Sequence, residues 1–197
     1  MQQEATHLRE AWLAQATTFL LEHMHEQGIP FVSVRVSCGW PLSGGAGNGK
    51  RVVIGQCFSP TVCQDGRPQI FISPRLSESV EVLGVLLHEL LHASLGTVHG
   101  HKKVFSQAAK KVGLAGPPTA TVVSQELRPL LQRYVGQVGH YPHAAIQPVL
   151  KEKKGSRLRL YQCQCEEPIK VRVASDKFQA RCLVCGEMFM FIPKEED

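Results

Sequence analysis

From Val80 to Leu91 eight of twelve positions are apolar: Val80, Val82, Leu83, Val85, Leu86, Leu87, Leu90 and Leu91. Wound at 3.6 residues per turn, these cover almost every face, and a helix that is apolar all round must be buried. The rest of the chain therefore has to wrap it. Ser77 reads as its N-cap, Glu78 and Glu81 suit its positive end, and Gly96 marks its stop. Three ionisable residues, His88, Glu89 and His92, sit inside this apolar cylinder. Any metal ligands among them would be held rigidly.

His88 and His92 stand four apart and share one helix face, a turn apart. Two imidazoles so placed can grip one metal ion, and Glu89 lies beside the first of them. This is the HExxH arrangement of zinc peptidases, two nitrogen ligands plus a general base. The chemistry needs these residue types because water is a poor nucleophile at neutral pH. Zinc lowers the pKa of bound water to about 7, and a neighbouring carboxylate accepts the proton and later gives it to the leaving amine. A catalytic zinc takes three protein ligands, so a third is needed. The segment Thr97–Phe105 offers His99 and His101. Farther on, His140 and His143 flank Tyr141-Pro142, and either is able to approach the ion. Tyr141 reads as a stabiliser of the oxyanion that forms on attack. The plainer account of that stretch is a turn with exposed histidines.

The rest of the chain supplies a wrapping. Leu8, Ala11, Trp12, Ala16, Phe19, Leu20 and Met24 recur at helical spacing between about residues 3 and 27, and Gly28 and Pro30 stop the run. His23 and His25 near its end read as solvated residues or partners of the helix dipole. Residues 31–37, 51–58 and 69–73 alternate like strands. Gly44 to Lys50 lacks the spacing of a phosphate-binding loop and reads as a hairpin tip. A second helix starts near His101, with Phe105, Ala108, Ala109 and Val112 inward and four lysines on a solvated face. A third is capped by Ser124 and ends between Gly136 and Gly139. With 43% hydrophobic and 20% charged residues, the 197-residue chain has an ordinary globular composition. No apolar run reaches membrane-spanning length and no signal peptide is visible, so a cytoplasmic protein without membrane contact is expected.

Seven cysteines are unevenly placed. Cys163, Cys165, Cys182 and Cys185 form two close pairs, a spacing that closes a tetrahedral structural zinc site. Strand-like runs at 169–173, 178–181 and 188–192 between and after the pairs make this a zinc ribbon. Cys38, Cys57 and Cys63 read as small buried hydrophobes. Lys151 to Arg157 is a basic linker. Basic residues of the linker and ribbon make DNA or RNA phosphate contact one expectation; Glu166, Glu167, Asp176 and Glu187 dilute that charge, and a purely structural lid is the other.

These residues carry a resemblance. Ser37-Cys38-Gly39-Trp40-Pro41, Ile54-Gly55-Gln56-Cys57, the helix around His88-Glu89-Leu90-Leu91-His92-Ala93, and Thr119-Ala120-Thr121 with Tyr141-Pro142-His143 together resemble the SprT-like zinc metallopeptidases, in the compact form of bacteria and phages. The cysteine-rich tail resembles the zinc ribbon of many members. The family includes Spartan, which cleaves proteins crosslinked to DNA, and members assigned a part in transcription. The resemblance implies His101 as the third ligand, four residues before aromatic Phe105, with Lys102 where the family carries glycine. His99 is the fallback. The chain is thus expected to be α+β: residues 1–150 a zincin-like metallopeptidase domain, a small sheet plus the active-site helix, and residues 151–197 a basic linker and β zinc ribbon. The expected activity is zinc-dependent hydrolysis of peptide bonds in a protein or peptide substrate, on nucleic-acid-associated proteins, with Glu89 as general base and strand addition at the sheet, including 69–73, as the docking mode. One rival is a nucleic-acid-binding or transcription-associated zinc protein whose zincin domain is a non-catalytic scaffold. Another is a metal hydrolase acting on something other than peptides.

Overall fold

A computed structural model describes residues 8–42, 52–147 and 158–193. The glycine-rich segment 44–50 and the basic linker 151–157 lie outside the described residues. The chain divides into two compact units, Met1–Val149 and Leu150–Asp197. In the first, α1 (Arg9–Glu26) precedes three short strands, β1 (Arg35–Cys38), β2 (Gly55–Phe58) and β3 (Gln69–Ile72). Then come α2 (Ser79–Leu95), α3 (Lys103–Lys111), β4 (Leu114–Ala115), β5 (Val122–Val123) and α4 (Arg128–Val138). The architecture is α+β. No helix among the described residues is long and apolar enough to cross a membrane.

Helix α2 is the apolar run, and it is buried as its composition demands. Val82, Leu83, Leu86, Leu87, Leu90 and Leu91 are fully inaccessible. At about 1.5–3 kcal/mol for each side chain, their burial contributes on the order of 10 kcal/mol. The N-cap is Glu78, not Ser77. Its carboxylate accepts from the N–H groups of Val80 (3.0 Å) and Glu81 (2.7 Å). A carboxylate one residue later reaches two orphan donors and brings negative charge to the helix start, which a hydroxyl at Ser77 does not. Gly96, at φ +88°, ends the helix and leads into the short 3-10 turn Thr97–His99.

The other helices pack around this rod. In α1 the buried residues Trp12, Ala16, Leu20 and Met24 follow an i, i+4 stripe. Leu8 lies outside the helix and is exposed. The indole of Trp12 donates to the carbonyl of Gly139, so the first helix is tied to the turn that ends the last. Phe105, Ala108 and Ala109 form the inner face of α3, with all four lysines exposed. Ser124 does cap the start of the last helical segment, accepting from Leu127, though regular α4 begins at Arg128.

The sheet runs β1-β3-β2, with β1 parallel and β2 antiparallel to β3. Ile70 and Ile72 point into the core, while Gln69 and Phe71 face away. This order corrects the expectation that residues 69–73 receive an added strand. β3 is central and both of its edges are paired; among the described residues β1 and β2 are the outer strands of this sheet. A two-residue hairpin, β4 with β5, also packs on α2. At Gly84 of α2 an added methyl would come within 2.6 Å of Val123, so the close approach of β5 requires glycine there.

The second unit is a three-stranded antiparallel sheet in the order β7-β6-β8, from β6 (Arg159–Gln162), β7 (Lys170–Val173) and β8 (Met190–Ile192). The run at 178–181 is no strand; Arg181 makes one isolated bridge to Met188. Tyr161 packs edge-on to Phe178 and beside Phe191, a core too small to hold so short a unit alone.

Candidate metal centre

The last turns of α2 and the start of the segment after it bring three imidazoles to one point. The Nε2 atoms of His88, His92 and His101 lie 3.1–3.2 Å from one another in all three pairings. A tetrahedral ion with bonds of about 2.0–2.1 Å needs donor atoms about 3.3 Å apart, so the triangle fits one zinc-sized ion. His101 completes it. His99 belongs to the preceding 3-10 turn and is not part of the cluster.

Phe105 explains why an aromatic residue follows His101 by four. Its buried ring stacks on His92 with centroids 4.3 Å apart and also touches His88 (4.8 Å) and His101 (5.1 Å). One ring from α3 thus fixes the planes of three ligands. His88 has a further support: its Nδ1 lies 2.8 Å from the hydroxyl of Thr121, next to β5. With Nδ1–H donating to that hydroxyl, Nε2 keeps its lone pair for a cation. Such outer partners typically set metal affinity by 10–100-fold. Thr121→Val is therefore expected to weaken zinc binding at this triad by about tenfold, read by competition with a chromogenic chelator.

Burial pushes the His88 imidazole down to about 3, helped by His92 and His101, and His92 down to about 4, helped by His101. Both are depressed below the ordinary histidine value, so both hold the lone pair that a metal needs. The sign follows: an unfolded chain takes up these protons near pH 6.5, and the folded chain refuses them. The contribution of the pair to stability is complete above that pH and is lost as pH falls toward 4. Chelator-treated protein should show a melting temperature that drops between about pH 7 and pH 5, and His92→Ala should flatten that drop.

Glu89 lies beside His88 on α2 and is only 7% exposed. Burial drives its carboxyl up to about 8, opposed by a hydrogen bond from the backbone N–H of Cys57. A cation at the three histidines would draw the value down.

The loop at 140–143 lies elsewhere, which corrects two expectations. His140 Nδ1 is 3.3 Å from the Ser79 hydroxyl, and His143 lies against Arg9 and the carbonyl of Pro74. They pin the loop to the starts of α1 and α2. Tyr141 is buried against Trp12, its backbone N–H donates to Ser79, and its hydroxyl sits by the Cys38 thiol. Ser79 and His88 are nine residues apart on a helix rising about 1.5 Å per residue, or roughly 13 Å. Tyr141 is thus a core residue at the far end of α2 from the triad. Cys38, Cys57 and Cys63 are half-buried rather than fully so.

In the second unit the thiols of Cys163, Cys165, Cys182 and Cys185 group within 4.8 Å of one another. Cys165 and Cys182 sulfurs are 3.8 Å apart, which matches the edge of a tetrahedron with bonds of about 2.3 Å. The Ile169 N–H donates to the Cys163 sulfur, the kind of bond that stabilises a thiolate. Lys170 and Arg172 alternate onto the exposed face of β7.

No family model, no curated protein and no solved structure matches the chain. The site's own geometry therefore carries its interpretation.

Proposed function

We propose that this protein is a zinc-dependent metallopeptidase of the zincin type, SprT-like in its motifs, with one catalytic and one structural zinc. The observation that carries the reading is the convergence of three Nε2 lone pairs beside a buried carboxylate. His88, His92 and His101 would hold the ion, and Cys163, Cys165, Cys182 and Cys185 the second. Zinc, when bound, supplies a Lewis acid and a water that ionises near neutral pH. Glu89 would serve as the base that takes up a proton at its carboxylate and passes it to the departing amine nitrogen. Thr121 and Phe105 keep the ligand rings from turning. β2 is an outer strand of its sheet and Gly55 abuts Glu89, so an extended peptide added along it would bring its backbone alongside the base.

Proteins bound to nucleic acid are the proposed substrates. Lys170 and Arg172 on the ribbon suit phosphate contact, and the resemblance points the same way. The free thiols fit a reducing, cytoplasmic compartment. Incubating zinc-loaded protein with unfolded and with DNA-bound proteins, with and without chelator, tests the reading. Cleavage that chelator abolishes is expected. Its absence on every protein substrate would sink the peptidase proposal.

A further inference from the structure

A base is useful only if its oxygen points at the water, and α2 alone does not decide where a three-carbon side chain points. We propose that Gly55 of β2 is a positioning residue whose missing side chain makes the seat of the Glu89 carboxylate. The catalytic consequence rests on the metallopeptidase reading above; the seat itself does not.

The geometry is specific. A methyl built on Gly55 would lie 2.7 Å from Glu89 Oε1, 3.0 Å from Glu89 Cγ and 2.6 Å from Val85 Cγ1. All three are well inside contact distance, so side chains would have to move. Gly55 is not among the glycines with positive φ, so alanine suits its backbone and the glycine serves space alone. The strand supplies a bond as well as a gap. In the antiparallel pairing of β2 with β3, the Ser73 N–H donates to Ile54, which places the hydrogen-bonded pairs at Ile54, Gln56 and Phe58. The N–H of Cys57 therefore points off the ladder, toward the Glu89 carboxylate. β2 thus seats the carboxylate beside that donor and in the space of one absent carbon.

The predicted signature separates a displaced base from a damaged fold. The atoms that an added methyl meets all belong to side chains, two of them to Glu89 and one to Val85, so the fold absorbs it by turning Glu89 aside and shifting Val85. Gly55→Ala should keep zinc affinity within about threefold, because it touches no ligand, and should lower kcat by about 100-fold with KM little changed, as expected for a reacting group misplaced by roughly 1 Å. Amide exchange at Cys57 should accelerate at least about tenfold, since that N–H has no ladder partner. Glu89→Ala should accelerate it equally. Val85→Ala added to Gly55→Ala removes the other close contact and should restore neither rate nor protection.

The inference is overturned if Gly55→Ala leaves the Cys57 amide as protected as in the wild type, or if Val85→Ala rescues the variant. Retention of more than about a third of the wild-type kcat also overturns it. If Gly55→Ala does not fold, the double variant Gly55→Ala/Glu89→Ala decides: folding regained is expected, and continued failure rejects the seat. Should the wild type show no chelator-sensitive hydrolysis, the metallopeptidase reading falls by itself, and exchange at Cys57 still settles the seat.

Discussion

Glu89→Gln is expected to lower kcat/KM for peptide hydrolysis by about 10³-fold while leaving the zinc content unchanged, since a positioned acid–base group is typically worth 10²–10⁴. Glutamine has the same shape and still accepts from the Cys57 N–H, so the seat stays filled. What it loses is the ability to take a proton. The three ligand nitrogens are untouched, so metal analysis should still find the ion. Because burial disfavours the charged carboxylate, the variant should also melt no lower than the wild type in chelator near pH 8. Unchanged hydrolysis would mean that another group accepts the proton. A cellular phenotype that survives the substitution would favour a scaffold that binds nucleic acid over an enzyme.

Cys182→Ser is expected to unfold the second unit and leave the first intact. Among its described residues only Tyr161, Cys163 and Cys182 are counted as buried hydrophobic core, and two of these are thiols of the cluster. Binding of structural zinc is worth about 10–16 kcal/mol in isolated zinc modules, far more than one buried tyrosine supplies. Loss of one thiolate should therefore remove amide protection from β6, β7 and β8 together, and one zinc per chain with it. His92→Ala is the mirror experiment: it should remove the other ion and leave the ribbon amides protected. Exchange mass spectrometry with metal analysis reads both. A ribbon that stays protected in Cys182→Ser would show that a metal is not what folds it.

Much of this site is legible in the residues because its chemistry is local. His88 and His92 declare a shared face by spacing alone, and the two cysteine pairs declare a cluster in the same way. The residues alone leave His99 and His101 open; the resemblance picks His101, four before Phe105, and the ring contacts give that distance a physical cause. What is not legible depends on partners far along the chain. The hairpin of β4 and β5 has two residues on each side, too few for any periodicity, and Thr121 acquires its role only because that hairpin packs on α2. The central place of β3 is a matter of strand order, which no single strand encodes. Tyr141 follows a histidine in a loop and so looks like a site residue, yet its ring is claimed by Trp12. Ser77 is a good cap by residue type, but Glu78 reaches the helix donors first.

The separation of only thirteen positions from His88 to His101 has a consequence for assembly. Closing so short a span costs little chain entropy. In a growing polypeptide the three imidazoles can thus meet around an ion soon after residue 101 leaves the ribosome, before α4 has packed. The same local grip lets denatured chain retain some affinity, so added zinc should raise the melting point by less than its affinity for the folded protein would dictate.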